Sequence, residues 1–114
     1  MNLRLVAVTA CVSGVAHTYM AAERLEKLCQ QEKWAIKIET QGALGIENVL
    51  SVEDVAGADV VLLITDIDIF HSERFKNSRS IQVGISAFLL EPQKVLDTVK
   101  RMMFLPTMAQ TKLI

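Results

Sequence analysis

Residues 3–31, LRLVAVTACVSGVAHTYMAAERLEKLCQQ, join a strand, a short loop and a helix, and this unit decides the fold. The run 3–10 is apolar and rich in Val and Leu, which is typical of a strand covered on both faces. Residues 15–31 are rich in good helix formers and place their apolar side chains on one face. A buried strand followed at once by an amphipathic helix predicts a parallel sheet flanked by helices.

The rest of the chain continues this alternation. Further strands are predicted at 34–40, 59–65 and 80–85, further helices at 51–58 and 91–103, a loop at 41–50, and a polar connector with a helical turn at 66–79. Ser51 is the expected N-cap of the shorter helix, with Asp54 at capping-box spacing. We therefore expect a Rossmann-like, three-layer αβα sandwich whose mostly parallel, four-stranded sheet has the order 2-1-3-4.

The composition fits one domain with a real core. Of 114 residues, 51% are apolar and 22% are charged, and the net charge of -1 gives no electrostatic reason to expect nucleic acid. We expect a single domain over 1–103, a flexible C-terminal tail over 104–114, and a cytoplasmic location. Cys11 and Cys29 are too few for a disulfide scaffold and are expected to be reduced thiols.

Cys11 directly follows the first strand, at the edge where parallel α/β sheets bind ligands. A structural thiol, a nucleophile, a metal ligand and a lipid-attachment site are the alternatives, although the apolar run before Cys11 is short for a secretory segment. The following loop leads into a helix N-terminus, whose backbone N–H groups and dipole favour an anion. The small side chains of Ser13, Gly14 and Ala16 would let the backbone close around a phosphoryl group, and the same field would favour the Cys11 thiolate.

The loop also resembles the site of cysteine phosphatases, with one important difference. Those enzymes have a cysteine, five residues, then Arg followed by Ser or Thr, whereas this chain has His17 and Thr18 at the last two positions. Histidine cannot clamp phosphoryl oxygens with two parallel hydrogen bonds, as a guanidinium does. We therefore expect transfer to a bound acceptor to be favoured over hydrolysis.

Four segments, 7–27 (AVTACVSGVAHTYMAAERLEK), 36–48 (IKIETQGALGIEN), 53–69 (EDVAGADVVLLITDIDI) and 73–75 (ERF), resemble fructose-family enzyme IIB domains. These domains belong to the bacterial phosphoenolpyruvate-dependent sugar phosphotransferase system, and the chain looks most like a free-standing, fructose-like component. The resemblance implies a protein-phosphohistidine–sugar phosphotransferase without metal or organic cofactor. Its cysteine, here Cys11, would take phosphate from a IIA phosphohistidine and pass it to a sugar bound in the membrane IIC component.

The resemblance also implies the residues of the site. The phosphate-binding loop would comprise Val12, Ser13, Gly14, Val15, Ala16, His17 and Thr18. The family loop usually reads Cys-Pro-Thr-Gly-Ile/Val-Ala-His-Thr, so Val12 and Ser13 depart from it, and Val12 lacks the fixed φ of proline. Gln41 and Gly42 would form part of the wall around the cysteine, although a turn role for both stays open.

Other interpretations stay open beside this one. A cysteine-dependent phosphatase or reductase would turn over without partner proteins, and a regulatory domain would sense phosphate through phospho-Cys11. His17 either hydrogen-bonds the phosphoryl group or packs at the helix start. The remaining side chains have structural expectations: a core position for Cys29, helix capping or solvation rather than metal binding for Asp66 and Asp68, and an ordinary surface pair for Arg74 and Phe75.

Overall fold

The structure, a computed structural model, describes residues 3–11, 16–104 and 110–113. The strands are β1 (Arg4–Ala10), β2 (Ala35–Gly42), β3 (Gly45–Glu47), β4 (Val60–Thr65), β5 (Ser80–Val83) and β6 (Gln110–Leu113). The helices are α1 (Ala16–Glu32), α2 (Val52–Ala56), α3 (Ile85–Leu90) and α4 (Pro92–Met102), with a 3₁₀ helix at Ser72–Phe75.

The described strands form one sheet in the order β3-β2-β1-β4-β5-β6, with every pairing parallel except β2–β3. The four strands predicted from the sequence are β2, β1, β4 and β5, and their predicted order is confirmed. The prediction of a four-stranded sheet is wrong, because a strand adds to each edge. As a result β2, which is an edge strand in the predicted order 2-1-3-4, lies between β1 and β3.

The additional strand β3 lies where the sequence indicated only a loop. It pairs with the end of β2 through a tight hairpin in which Gly42 faces Gly45. Gly45 has a φ of +89°, which residues other than glycine rarely adopt, so a glycine at this position permits the turn. The three residues of β3 are too few to show a strand period in the sequence.

The stretch 104–114, expected as a flexible tail, contains the other additional strand. Strand β6 runs parallel to β5, with Ser80 beside Gln110 and Val83 beside Leu113. The strand predicted at 80–85 ends at Val83, and Ile85 begins the unpredicted helix α3.

The sheet is covered on both faces, as an αβα sandwich requires, but the two layers differ in size. Helices α1, α3 and α4 pack on one face around a large core cluster, whose central side chains include Leu25, Leu62, Phe88 and Leu96. Helix α2 and the 3₁₀ helix cover the other face around a small cluster of Val6, Val8, Leu50, Val61 and Phe75.

The start of α2 lies where the capping signals in the sequence predicted it. The predicted capping box is confirmed: the Asp54 N–H donates to the Ser51 hydroxyl at 3.0 Å, and the Ser51 N–H donates to the Asp54 carboxylate at 2.8 Å. Lys37 also donates to Asp54, and this hydrogen bond is the main reason that the pKa of Asp54 falls to about 2.

Candidate functional site around Cys11

Cys11 lies at the carboxyl edge of the sheet, directly after the central strand β1. The preceding residue, Ala10, is flanked by Gln41 of β2 on one side and Thr65 of β4 on the other. The Cys11 side chain belongs to the core cluster beneath α1 and is 6% exposed. The fold therefore places this thiol at the edge of the sheet where the sequence predicted a site.

Thr18 contacts the sulfur of Cys11 from the first turn of α1. Helix α1 begins at Ala16, so Thr18 lies in its first turn, with 0% exposure. Its hydroxyl Oγ1 lies 3.2 Å from Cys11 Sγ and donates a hydrogen bond to it. A hydroxyl donor stabilises a thiolate more than a neutral thiol, so this contact suits a sulfur that attacks and later leaves as an anion.

Of the other six residues of the predicted phosphate-binding loop, the structure describes two. Val12, Ser13, Gly14 and Val15 lie outside the described residues. Ala16 and His17 begin α1 and are both exposed. The predicted roles of these six residues therefore stay predictions.

Gln41 is buried beside the site, where its amide is held by other protein groups. Its Nε2 donates to Glu39 at 2.7 Å and to the Phe70 carbonyl at 3.1 Å, while its Oε1 accepts from the Phe70 N–H at 2.9 Å. In this arrangement Gln41 fastens the segment after β4 to the end of β2. A contribution of Gln41 or its half-buried neighbour Gly42 to phosphate binding stays a prediction.

A buried ion pair next to Gln41 is the main feature that the sequence interpretation missed. Arg74 and Glu39 form two parallel hydrogen bonds, Nη1 to Oε1 at 2.8 Å and Nη2 to Oε2 at 3.0 Å. The Glu39 side chain has 0% exposure and that of Arg74 has 16%. Phe75 is also buried, so the expectation that Arg74 and Phe75 are an ordinary surface pair is wrong.

Glu39 stays ionised in this buried position because donors surround it. Burial by itself raises the pKa of a carboxyl group, but hydrogen bonds from Arg74, the Leu50 amide and Gln41, together with the charge of Arg74, bring the pKa of Glu39 below its ordinary value. The Leu50 N–H donates to Glu39 Oε1 at 2.9 Å. The ion pair therefore joins three chain segments at the carboxyl end of β2.

The two aspartates after β4 have different surroundings. Asp66 Oδ1 accepts the backbone N–H of Ile85, the first residue of α3, at 3.1 Å. Asp66 therefore caps the start of α3, which is one of the two structural roles, capping or solvation, that the sequence predicted. Asp68 is exposed to solvent.

Cys29 lies near the other end of α1 and has 0% exposure. Burial, with a smaller effect from the charge of Glu32, raises the pKa of Cys29 to about 12. The predicted core position is confirmed, and a thiol with so high a pKa is a poor nucleophile.

Together, the fold and the site define an α/β protein with a cysteine-centred site at the carboxyl edge of a Rossmann-like sheet. The sequence model of the family described as "PTS system, Lactose/Cellobiose specific IIB subunit" matches residues 6–98. The fructose-like EIIB component 3 of Escherichia coli (strain K12) is 63% identical over 110 residues, 96% of this chain and 96% of that protein. The fructose-like EIIB component 2 of the same strain is 46% identical over 97 residues, 85% of this chain and 92% of that protein.

A solved structure agrees with these sequence matches. The crystal structure of a "Predicted Fructose Specific IIB" from Escherichia coli has a TM-score of 0.94 at 59% identity, and the match covers 98% of this chain and 99% of that chain. The chain therefore belongs to the enzyme IIB family of the sugar phosphotransferase system, and it transfers phosphoryl groups in sugar uptake. Within the described residues, no helix is long and apolar enough to span a bilayer.

Proposed function

We propose that Cys11 carries the phosphoryl group, which it receives from the phosphohistidine of a IIA protein and passes to a fructose-like sugar held by a membrane IIC component. The chain would thus act as a protein-phosphohistidine–sugar phosphotransferase in the cytoplasm. The observation that supports this proposal most strongly is the hydrogen bond from Thr18 to Cys11 Sγ, because it joins the thiol to the start of a helix at the carboxyl edge of the sheet.

The reaction balances as two displacements at phosphorus. In the first, the Cys11 thiolate attacks the phosphorus, the S–P bond forms, and the N–P bond to the donor histidine breaks. The histidine keeps the bonding electron pair and takes up a proton. In the second, a sugar hydroxyl attacks, loses its proton, and Cys11 leaves as a thiolate. The Thr18 hydroxyl supports the negative sulfur in both steps.

The proposed sugar class rests on the relatives rather than on this chain's own residues. The matched family model names lactose and cellobiose, whereas two relatives that each cover at least 85% of the chain are named fructose-like. The second assignment comes from proteins of 63% and 46% identity and is more specific. A fructose-like sugar is therefore the better proposal.

A phosphoryl-transfer assay with matched variants tests the proposed function. A fructose-type IIA protein would be charged from phosphoenolpyruvate through the general components and mixed with wild type, Cys11→Ser or Cys29→Ser. We expect one phosphate on wild type and on Cys29→Ser by intact mass, and none on Cys11→Ser. Because both cysteines are buried and replaced by the same residue, Cys29→Ser controls for the loss of a buried thiol.

Two results would contradict the proposal. Phosphate on Cys11→Ser at the wild-type level would move the carrier to another residue. Rapid hydrolysis of p-nitrophenyl phosphate by the chain alone would favour a cysteine phosphatase instead.

A further inference from the structure

Phe70 combines an exposed ring with a firmly held backbone. The side chain is 67% exposed. Its N–H and its carbonyl both bond to the Gln41 amide, at 2.9 Å and 3.1 Å, and Arg74 Nη2 lies 3.4 Å from the same carbonyl. An aromatic side chain on a fixed backbone loses little conformational entropy when a partner covers it, which is why such residues often dominate binding.

The backbone of the next residue, His71, is also held in one defined conformation. His71 has a φ of +64°, a left-handed backbone conformation that is uncommon for residues other than glycine. Its carbonyl accepts from Arg74 Nε at 2.8 Å. The buried ion pair of Glu39 with Arg74 therefore holds the chain through both Phe70 and His71.

The segment that carries Phe70 is attached to the same strand end as Cys11. The Asp66 N–H donates to the Ala10 carbonyl at 3.2 Å, and Gln41 is the pairing neighbour of Ala10 in β2. A protein interface of ordinary size covers about 800 Å² on each partner, which corresponds to a disc of roughly 16 Å radius. An interface of that size centred on Cys11 would extend over the segment around Phe70, which is joined to the same strand end through Asp66 and Gln41.

The surroundings of Phe70 indicate what such a partner would look like. Ile67 in the same segment is 39% exposed, and Leu44 at the tip of the β2–β3 hairpin is 74% exposed. The Leu44 N–H lies 3.4 Å from the Tyr19 hydroxyl, so the hairpin tip is held against the start of α1. Exposed acidic side chains follow β4, at Asp66, Asp68 and Glu73. The complementary surface would combine apolar side chains with a basic rim.

We propose that Phe70, positioned by Gln41 and the Glu39–Arg74 ion pair, anchors the phosphohistidine protein that delivers the phosphoryl group to Cys11. This inference rests on the proposed function. Phe70 makes the binding contact, whereas Gln41 and Arg74 act through it and are positioning residues.

The test measures the initial rate of phosphoryl transfer against the concentration of phosphorylated IIA protein for wild type, Phe70→Ala and Phe104→Ala. Phe104 is the matched control, because it is 83% exposed and follows α4. For Phe70→Ala we expect the half-saturating IIA concentration to rise about 10- to 50-fold, as for an interface anchor, with the saturated rate within about twofold. Phe104→Ala should match wild type, and added salt should raise the half-saturating concentration.

Gln41→Leu tests the positioning of Phe70. We expect it to raise the half-saturating IIA concentration in the same direction as Phe70→Ala, and iodoacetamide should modify Cys11 in Phe70→Ala at the wild-type rate. In the double variant the two effects should not add, because both substitutions disturb the same contact.

Each other outcome has a definite meaning. An unchanged half-saturating concentration for Phe70→Ala overturns the inference. A defect confined to transfer from phospho-Cys11 to sugar in IIC-containing membranes also overturns it, since the anchor would then serve the acceptor. If wild type gains no phosphate from a IIA protein that is verifiably charged, the proposed function and this inference fail together.

Discussion

The two cysteines have the same side chain but lie in regions that surround the sulfur with different groups. Cys11 lies at the carboxyl edge of the sheet, and its sulfur accepts a hydrogen bond from Thr18. Cys29 lies in the core near the far end of α1, where burial and the charge of Glu32 raise its pKa to about 12. Both side chains are buried, so exposure alone does not distinguish them. Under the proposed function, the local donors and charges around each sulfur would make Cys11 the reactive thiol and Cys29 the inert one.

The largest expected difference between the two regions is in thiol reactivity. With a pKa of about 12, Cys29 is about one part in 10⁴ thiolate at pH 8. We expect iodoacetamide to modify Cys11 at least about 10³-fold faster than Cys29 in the folded protein. Peptide-level mass spectrometry over a time course measures both rates. Equal rates would remove the distinction between the two sites.

The comparison extends to one ion pair in each region. Glu39–Arg74 is buried near the carboxyl edge, whereas Glu32–Lys100 near Cys29 has side chains that are 34% and 43% exposed. We expect Arg74→Met to lower the free energy of unfolding by about 3–5 kcal/mol, because it leaves a buried carboxylate without its partner. Lys100→Met, the matched control, should lower it by less than about 1 kcal/mol. Urea denaturation measures both, and similar losses would contradict the difference between the regions.

The buried pair also predicts a pH dependence. The pKa of Glu39 is lower in the folded state than in the unfolded chain, so its ionised form stabilises the fold above the unfolded pKa of about 4.3. That contribution is lost as the pH falls through the folded pKa. We expect Glu39→Gln to lose less stability than wild type between pH 5 and pH 3, measured by urea denaturation. Parallel curves would show that Glu39 does not contribute.

A smaller effect is expected from the hydroxyl beside Cys11. Thr18→Val keeps the side-chain shape but removes the donor, so the rate of phosphoryl transfer should fall about tenfold, the value of one ordinary hydrogen bond. Thr18→Ser should restore most of the rate. Thr98→Val is a matched control, since the Thr98 hydroxyl bonds within α4 to the Lys94 carbonyl. A wild-type rate for Thr18→Val would show that the hydrogen bond has no part in the transfer.

Apart from the control variants, the smallest expected effect is at Cys29. Cys29→Ala removes one buried sulfur atom and should lower the free energy of unfolding by about 1 kcal/mol through the small cavity that remains. Phosphoryl transfer should be unchanged. Thermal unfolding and the transfer assay check the two statements, and a lost transfer activity would assign Cys29 to the site.

Much of the fold could be predicted because its signals are local. The apolar runs of β1 and β4, the amphipathic pattern of α1 and the capping box at Ser51 each lie within one segment, and all four elements are present. The two edge strands were missed for the same reason. Strands β3 and β6 have three and four residues, and long-range pairing rather than a local pattern decides whether so short a segment becomes a strand.

The site was predicted less completely than the fold. Cys11 could be proposed as the site residue because its place after a buried strand is itself a sequence signal. The ion pair of Glu39 with Arg74 could not be predicted, because the two residues are 35 positions apart and each belongs to a residue type that is usually solvated. Side chains alternate between the two faces of a strand, so Glu39 lies on the same face of β2 as Gln41. A predicted register that pairs Glu39 with the buried Val8 could have indicated that Glu39 is buried.

The most direct test of the central claim is to locate the phosphate in wild-type protein that retains both cysteines. The chain would be phosphorylated by a charged IIA protein, digested under conditions that preserve the S–P bond, and mapped by peptide mass spectrometry. We expect all of the phosphate on the peptide that contains Cys11 and none on the peptide that contains Cys29. Phosphate on Cys29, or on any residue other than Cys11, would contradict the account.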